Sequence, residues 1–150
     1  MDTWGFEYVK HLAGEIGHEW DHRKETGQGT DDLRALVDEI VPFNIKHNSE
    51  PEACDLLMEV DLLPNILDYV NESNYSRVAL YLVNCANYVP EPEDSIVFNT
   101  VYQIYLKVNR YPEAMRIAIR LNSDKLAQVI KKLFIVSPQI SKHNDFAGNI

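Results

Sequence analysis

The chain has 150 residues, 45% hydrophobic and 25% charged, a composition that supports a packed core rather than a disordered one. Its formal net charge of −9 repels phosphate backbones and anionic bilayer surfaces, so no nucleic acid and no membrane is expected as a partner. Charges or amides interrupt every apolar run, and Met1-Asp2-Thr3-Trp4 lacks the basic and apolar regions of a secretory leader, so the expected location is cytoplasmic and nuclear.

At this length one domain is expected, spanning 1–150 and burying roughly 70% of its unfolded surface. A first helix is predicted over Thr3–Glu25, where Trp4, Tyr8, Leu12, Ile16 and Trp20 recur every four residues as one apolar stripe. Gly14 and Gly17 weaken it by about 1 kcal/mol each relative to alanine. The flexible stretch Thr26-Gly27-Gln28-Gly29-Thr30 ends it.

A second helix begins at Thr30 or Asp31 and carries Leu33, Leu36, Val37, Ile40 and Val41. Pro42 predicts a kink there, or an end near Val41 with a turn resuming at Phe43. Ser49 and Glu52 have capping-box spacing, and Pro51 sits in the first turn of a third helix buried through Ala53, Leu56, Leu57 and Val60. Pro64 starts a short turn through Ile66, Leu67 and Tyr69.

Asn71 or Ser73 opens the next helix, with Tyr75, Val78, Ala79, Leu82, Val83 and Ala86 inward. The turn Val89–Asp94 holds two prolines, and its carboxylates suit the start of a helix carrying Ile96, Val97, Val101, Ile104, Tyr105 and Val108. Tyr111 begins a short helix through Leu121, and Asn122 or Ser123 caps another through Phe134. Ser137-Pro138 opens a weak last segment. No stretch alternates like a strand, so the fold class is all-α: about eight helices with short connections, arranged as stacked antiparallel helical hairpins in an α-solenoid. Tyr102–Phe134 faintly echoes a tetratricopeptide unit without its full signature. A stack cut at Ile117–Phe134 exposes an apolar end, which predicts self-association there.

One string has metal-site spacing. His18-Glu19-Trp20-Asp21-His22 fits H-E-x-x-H, which places two imidazoles one helical turn apart with a glutamate between to activate water. The longer zinc-protease motif wants glycine where Glu25 stands, and Trp20 continues the apolar stripe, so His18 and His22 are expected on a solvated face. No catalytic, cofactor-binding or metal residue is therefore assigned. Glu91, Glu93 and Asp94 read as helix-start charges. Cys54 and Cys85 read as reduced core thiols rather than a disulfide or a nucleophile. Most tyrosines read as inter-helix packing, and Arg116, Arg120 and Lys131-Lys132 as isolated basic spots. Asn71-Glu72-Ser73 and Asn74-Tyr75-Ser76 are chance matches to the glycosylation sequon.

Longer strings carry more information. WGFEYVKHLAGEIGHEW (4–20), VDEIVPFNIKHNSEPEACDLLMEV (37–60), YLVNCANYVPEPED (81–94) and YPEAMRIAIRLN (111–122) occur in one order. Together they resemble the family of the largest non-ATPase subunit of the 26S proteasome regulatory-particle base. The stretches 21–30 and 135–150 resemble it least. The resemblance implies an excised piece of that family's amino-terminal helical region, upstream of a toroid of repeats. It implies a non-catalytic scaffold in ubiquitin-dependent degradation, with the ATPase ring and other regulatory-particle subunits as partners. Ubiquitin, ubiquitin-like shuttle proteins and a deubiquitinase would bind the toroid, outside this piece. The competing readings are a free-standing helical-repeat adaptor and a zinc-dependent hydrolase using His18, Glu19 and His22.

Overall fold

The computed structural model describes residues 5–121, 128 and 130. Among these the chain is helical without strands: α1 (Phe6–Thr26), α2 (Asp31–Lys46), α3 (Glu50–Glu59), a 3-10 segment (Leu63–Asp68), α4 (Tyr75–Cys85), α5 (Glu93–Lys107) and α6 (Tyr111–Arg120). Gln128 and Ile130 are also helical, and Ile130 is buried. The segments predicted from Asn122 onward, and the apolar end expected there, otherwise lie outside the described residues.

Each element packs on its near neighbours along the chain. α1, α2 and α3 contact one another, α3 contacts α4 and the 3-10 segment, and α5 contacts that segment, α4 and α6. This is a run of helical hairpins stacked side by side, as the sequence predicts.

The buried stripe of α1 differs from the expected one. Val9, Ile16, Gly17 and Trp20 are buried, whereas Tyr8 is 57% exposed. A period of four overshoots the 3.6-residue turn by about 40° per step, so a stripe at that spacing winds off the buried face. Val9 and Ile16, seven residues apart, stay in line. Ile96 is also outside, at 51% exposed, about 100° round the helix from Val97, while Val97, Phe98, Val101, Tyr102 and Ile104 form the inner face of α5.

Pro42 neither ends nor divides α2, which continues to Lys46. The carbonyl left without its amide partner belongs to Asp38, an exposed residue, so the gap in the helix ladder falls on the solvent side. Leu33, Val37, Ile40, Val41 and Asn44 remain on one buried face. The Ser49–Glu52 capping box does not form, since Ser49 makes no side-chain cap bond. Glu50 and Glu52 in the first turn of α3 instead place negative charge against the helix dipole. α4 begins at Tyr75, later than predicted, because Asn71, Ser73 and Asn74 bond to one another. The Asn71 amide donates to Asn74 Oδ1 at 2.8 Å, and Asn74 Nδ2 donates to the Tyr69 carbonyl at 3.1 Å.

Four helix ends share one stop. Gly27 (φ 68), Asn48 (φ 56), Asp61 (φ 55) and Asn109 (φ 58) are left-handed. In each case the next amide reaches back five residues: Gln28 to the Arg23 carbonyl, Ser49 to Asn44, Leu62 to Leu57 and Arg110 to Tyr105. These are Schellman closures, which satisfy the last carbonyls of α1, α2, α3 and α5 and turn the chain sharply.

The core joins all the elements, with Ile40, Leu56, Leu57, Ile66, Leu82, Val101 and Ile104 each at most 1% exposed. Each such side chain contributes about 1.5–3 kcal/mol through burial. Trp20 Nε1 is the one buried side-chain nitrogen or oxygen without a hydrogen-bond partner among the described residues.

Candidate functional site

His18 and His22 lie on the exposed side of α1. Glu19, which a metallohydrolase would need free as a base, accepts a hydrogen bond from Arg23 Nε at 2.8 Å. Among the described residues no group of three or more His, Cys, Asp or Glu side chains is placed to hold a metal ion. The string thus brings together two imidazoles without a third ligand or an enclosing wall.

The cysteines are free. Cys54 is fully buried, and burial pushes its thiol far above the ordinary range, with the nearby Asp55 carboxylate adding to the effect. Cys85 is only half-buried, which departs from the core position expected. Burial raises its thiol too, opposed by the neighbouring Tyr81 hydroxyl. Both sites disfavour the thiolate that nucleophilic chemistry requires.

Glu91 and Glu93 are exposed, and Glu93 and Asp94 occupy the first turn of α5. Of the two sequon asparagines, Asn74 is 4% exposed and bonded through its side chain, so it is closed to a modifying enzyme. Tyr102 is buried and Tyr75 meets Tyr105 edge to face at 6.5 Å, as packing residues do. Tyr88 does not pack; it is 90% exposed.

The side chains with definite geometry are bridges between elements. Glu50, 2% exposed at the start of α3, accepts from Arg77 of α4, with Nε at 2.9 Å and Nη2 also in contact. Burial opposes ionisation of Glu50, but the Arg77 hydrogen bonds outweigh it and hold the carboxyl below its ordinary value. Arg77 also reaches the Ser73 carbonyl and Asn48. Tyr81 of α4 donates to Asp55 of α3 at 2.5 Å. Lys24 of α1 pairs with Asp61 after α3, and Lys107 of α5 donates to the Leu67 carbonyl in the 3-10 segment. Arg120, expected to be an isolated basic spot, donates to Asn87 and stacks over Phe98 at 4.5 Å. Sequence reading missed every one of these except as charges on helix surfaces. Apart from the local Arg77–Ser73 bond, the hydrogen-bonded partners are 26 to 40 residues apart, and only the stacking brings them together.

Two surface features remain. Leu80, Tyr88, Ile96 and Ile119 are exposed apolar side chains on the α4–α6 part of the stack. Ile96 borders an open groove of about 490 Å³ that also involves Pro64, Leu67, Thr100, Gln103 and Leu121. On the opposite part, a smaller pocket of about 180 Å³ involves α1, α2 and α3.

The arrangement is a braced helical stack. The family model for the RPN1 N-terminal domain matches residues 1–142. This chain belongs to the RPN1 N-terminal domain family. It is 53% identical over 131 residues, 87% of its length, to 26S proteasome non-ATPase regulatory subunit 2 of Dictyostelium discoideum, covering 15% of that protein. It is 41% identical over 97% of its length to 26S proteasome non-ATPase regulatory subunit 2 homolog A of Arabidopsis thaliana, and covers 16% of it. It is 43% identical over 82% of its length to 26S proteasome regulatory subunit rpn1 of Schizosaccharomyces pombe, and covers 14% of it. The chain thus spans about 15% of the length of the curated relatives it matches. Within it no helix among the described residues is long and apolar enough to cross a membrane.

Proposed function

We propose that this chain is a non-catalytic scaffold segment of the 26S proteasome regulatory particle, acting by protein–protein contact in ubiquitin-dependent degradation. The observation that carries this reading is the family match over residues 1–142 of a chain whose relatives are named as regulatory, non-ATPase proteasome subunits. The geometry agrees in physical terms. Glu50, Asp55, Arg77, Lys24, Asp61 and Lys107 are used to fix one helix against the next, which is what a rigid prop requires. Residues 1–150 act as a single helical unit in this reading, with no resident cofactor, metal or catalytic residue. The partners are other regulatory-particle subunits, including the ATPase ring. Ubiquitin, ubiquitin-like shuttle proteins and a deubiquitinase engage other parts of the longer protein, and the complex works in cytoplasm and nucleus.

The test is a chimera. The matching segment of the Dictyostelium subunit is replaced by this chain, and the tagged full-length protein is purified from cells. Recovery of the remaining regulatory-particle subunits in normal ratio is expected. A soluble, monodisperse chimera that fails to enter the particle overturns the proposal.

A further inference from the structure

The groove beside Ile96 stands out from the rest of the surface by its charge. The chain is 25% charged with a net charge of −9, yet among the described residues none that lines this groove is Asp, Glu, Lys or Arg. Pro64, Leu67, Ile96 and Leu121 give it apolar walls, and Thr100, 3% exposed, turns its hydroxyl onto the Ile96 carbonyl at 2.9 Å. Along the α5 edge Ser95, Asn99 and Gln103 follow one another at four-residue steps, all three exposed. Ser95 donates to Asp94 at 3.3 Å and keeps its acceptor lone pairs, while each carboxamide offers both a donor and an acceptor. One such step rises about 6 Å along the helix. Alternate residues of an extended chain are about 6.6 Å apart, so a strand laid along α5 brings a main-chain amide to each of the three in turn. Charge enters at one end only. Ile96 also borders a pocket of about 130 Å³, where Met58, Leu63 and Val97 are apolar and Asp61 and Glu93 acidic. Asp61 is paired with Lys24, whereas Glu93 is exposed, with Glu91 and Asp94 close to it in the chain. These three carboxylates outweigh the roughly half positive charge of the α5 amino terminus.

We propose that this groove binds an extended segment of a partner protein in which a lysine or arginine adjoins about four uncharged residues. The span from Ser95 to Gln103 is about 12 Å, which sets that length. The uncharged lining selects the residues over it, because a charged side chain there would be desolvated without a counter-charge. The exposed amide edge selects the conformation. A strand has main-chain donors and acceptors to give to Ser95, Asn99 and Gln103, whereas a helix has already spent its own internally. At the other end the acidic rim selects the cation: the aliphatic stem of a lysine or arginine covers Met58, Leu63 and Val97 while its head meets Glu93. That the segment belongs to another regulatory-particle subunit rests on the proposed function; the peptide chemistry of the groove does not.

The 150-residue chain is titrated with acetyl-Lys-Val-Ala-Val-Ala-amide and with acetyl-Val-Ala-Val-Ala-Lys-amide, which present the two chain directions, and followed by amide NMR. Saturable shifts are expected with one of them at the Asn99 and Gln103 side-chain amides and the Val97 backbone amide. Read at Val97, Asn99→Ala with Gln103→Ala and, separately, Glu93→Gln should each weaken binding several-fold, and Ile96→Asp should abolish it. Leu80→Asp, at an exposed position outside the groove, should leave it unchanged. The same peptide N-methylated throughout its Val-Ala run keeps its side chains and loses its main-chain donors, and should bind at least tenfold more weakly. Equal binding of the N-methylated peptide, or of one with glutamate in place of lysine, overturns the proposal. So does the absence of a saturable shift in a chain that remains helical by circular dichroism. Shifts at the same resonances when the free chain is diluted also overturn it, since they give the groove to a second copy. A chimera that assembles normally while the titration is silent removes the groove and leaves the scaffold role standing.

Discussion

The Arg77 guanidinium of α4 closes over the Glu50 carboxylate, which is 2% exposed at the first turn of α3. Both Arg77 donors converge on the same carboxylate oxygen, Oε1, so one side chain both neutralises the buried charge and ties two helices together.

Removing the two partners of this pair should have unequal effects. Arg77→Met leaves a buried carboxylate uncompensated and is expected to cost about 1–3 kcal/mol. Glu50→Gln leaves only a half-exposed arginine, which water can solvate, and should cost about 1 kcal/mol or less. Urea denaturation of the two variants checks the order. Equal losses would mean that Glu50 is not held in a desolvated site.

The same pair sets an acid limit. The folded-state carboxyl of Glu50 lies below its ordinary value of 4.5, so its stabilisation is complete above that pH and is lost as pH falls through the folded value. Glu59 acts in the opposite sense, because its carboxyl is raised above 4.5 by burial and by Asp55. Its ionisation opposes folding at neutral pH and the penalty lifts as pH falls through the raised value. Melting temperature should therefore lose part of its low-pH decline in Arg77→Met and part of any mildly acid rise in Glu59→Gln. Thermal melts across pH 3–7 read both.

The glycines of α1 should respond differently to alanine. At Gly14 the added methyl meets open space and removes backbone entropy, for a gain of about 0.5–1 kcal/mol. At Gly17 it collides with the Glu59 carboxylate, which must move aside, so the gain should be smaller or absent. A double-mutant cycle with Glu59→Ala should restore the Gly17→Ala gain to that of Gly14→Ala, and additivity in that cycle would refute the contact.

Trp20 offers a separate check on packing. Trp20→Ala empties a 7%-exposed site and should cost about 3–5 kcal/mol. Trp20→Phe also removes an unpaired buried N–H, so its smaller volume loss is partly offset and the cost should stay near 1 kcal/mol. Guanidinium unfolding followed by circular dichroism separates the two.

Zinc should not copurify in stoichiometric amount, and His18→Ala with His22→Ala should leave the melting temperature unchanged within about 0.5 kcal/mol equivalent, as for other exposed positions. Native mass spectrometry of untagged protein provides the count. One zinc per chain, lost in that variant, would reopen the hydrolase reading.

Helix identity and order were legible in the sequence because apolar periodicity reports a buried face directly. Ala53, Leu56, Leu57 and Val60 are all buried as predicted, as are Val78, Ala79 and Leu82. The failures have local causes. Spacing alone puts Tyr8 on the apolar stripe of α1, and a residue at the edge of a stripe can fall on either side of it. The Ser49–Glu52 pattern was present but unused, since the neighbouring Glu50 is engaged by Arg77 instead. The stops at Asn48, Asp61 and Asn109 were missed because asparagine and aspartate at positive φ look like ordinary polar loop residues in a sequence.

Three of the four left-handed joints are latched by their own side chains: Asn48 to Arg77, Asp61 to Lys24 and Asn109 to the Tyr111 hydroxyl. Gly27 has no side chain with which to do this, and the residues that follow it, Gln28 and Gly29, are exposed. Trypsin-class and broader proteases need several residues of slack backbone to seat a scissile bond. Arg23 supplies the latch here instead, its Nη1 donating to the Gly29 carbonyl at 3.1 Å and to Asp32 at 2.5 Å, so Arg23→Ala should make the 27–30 corner the site of the first nick in the folded chain.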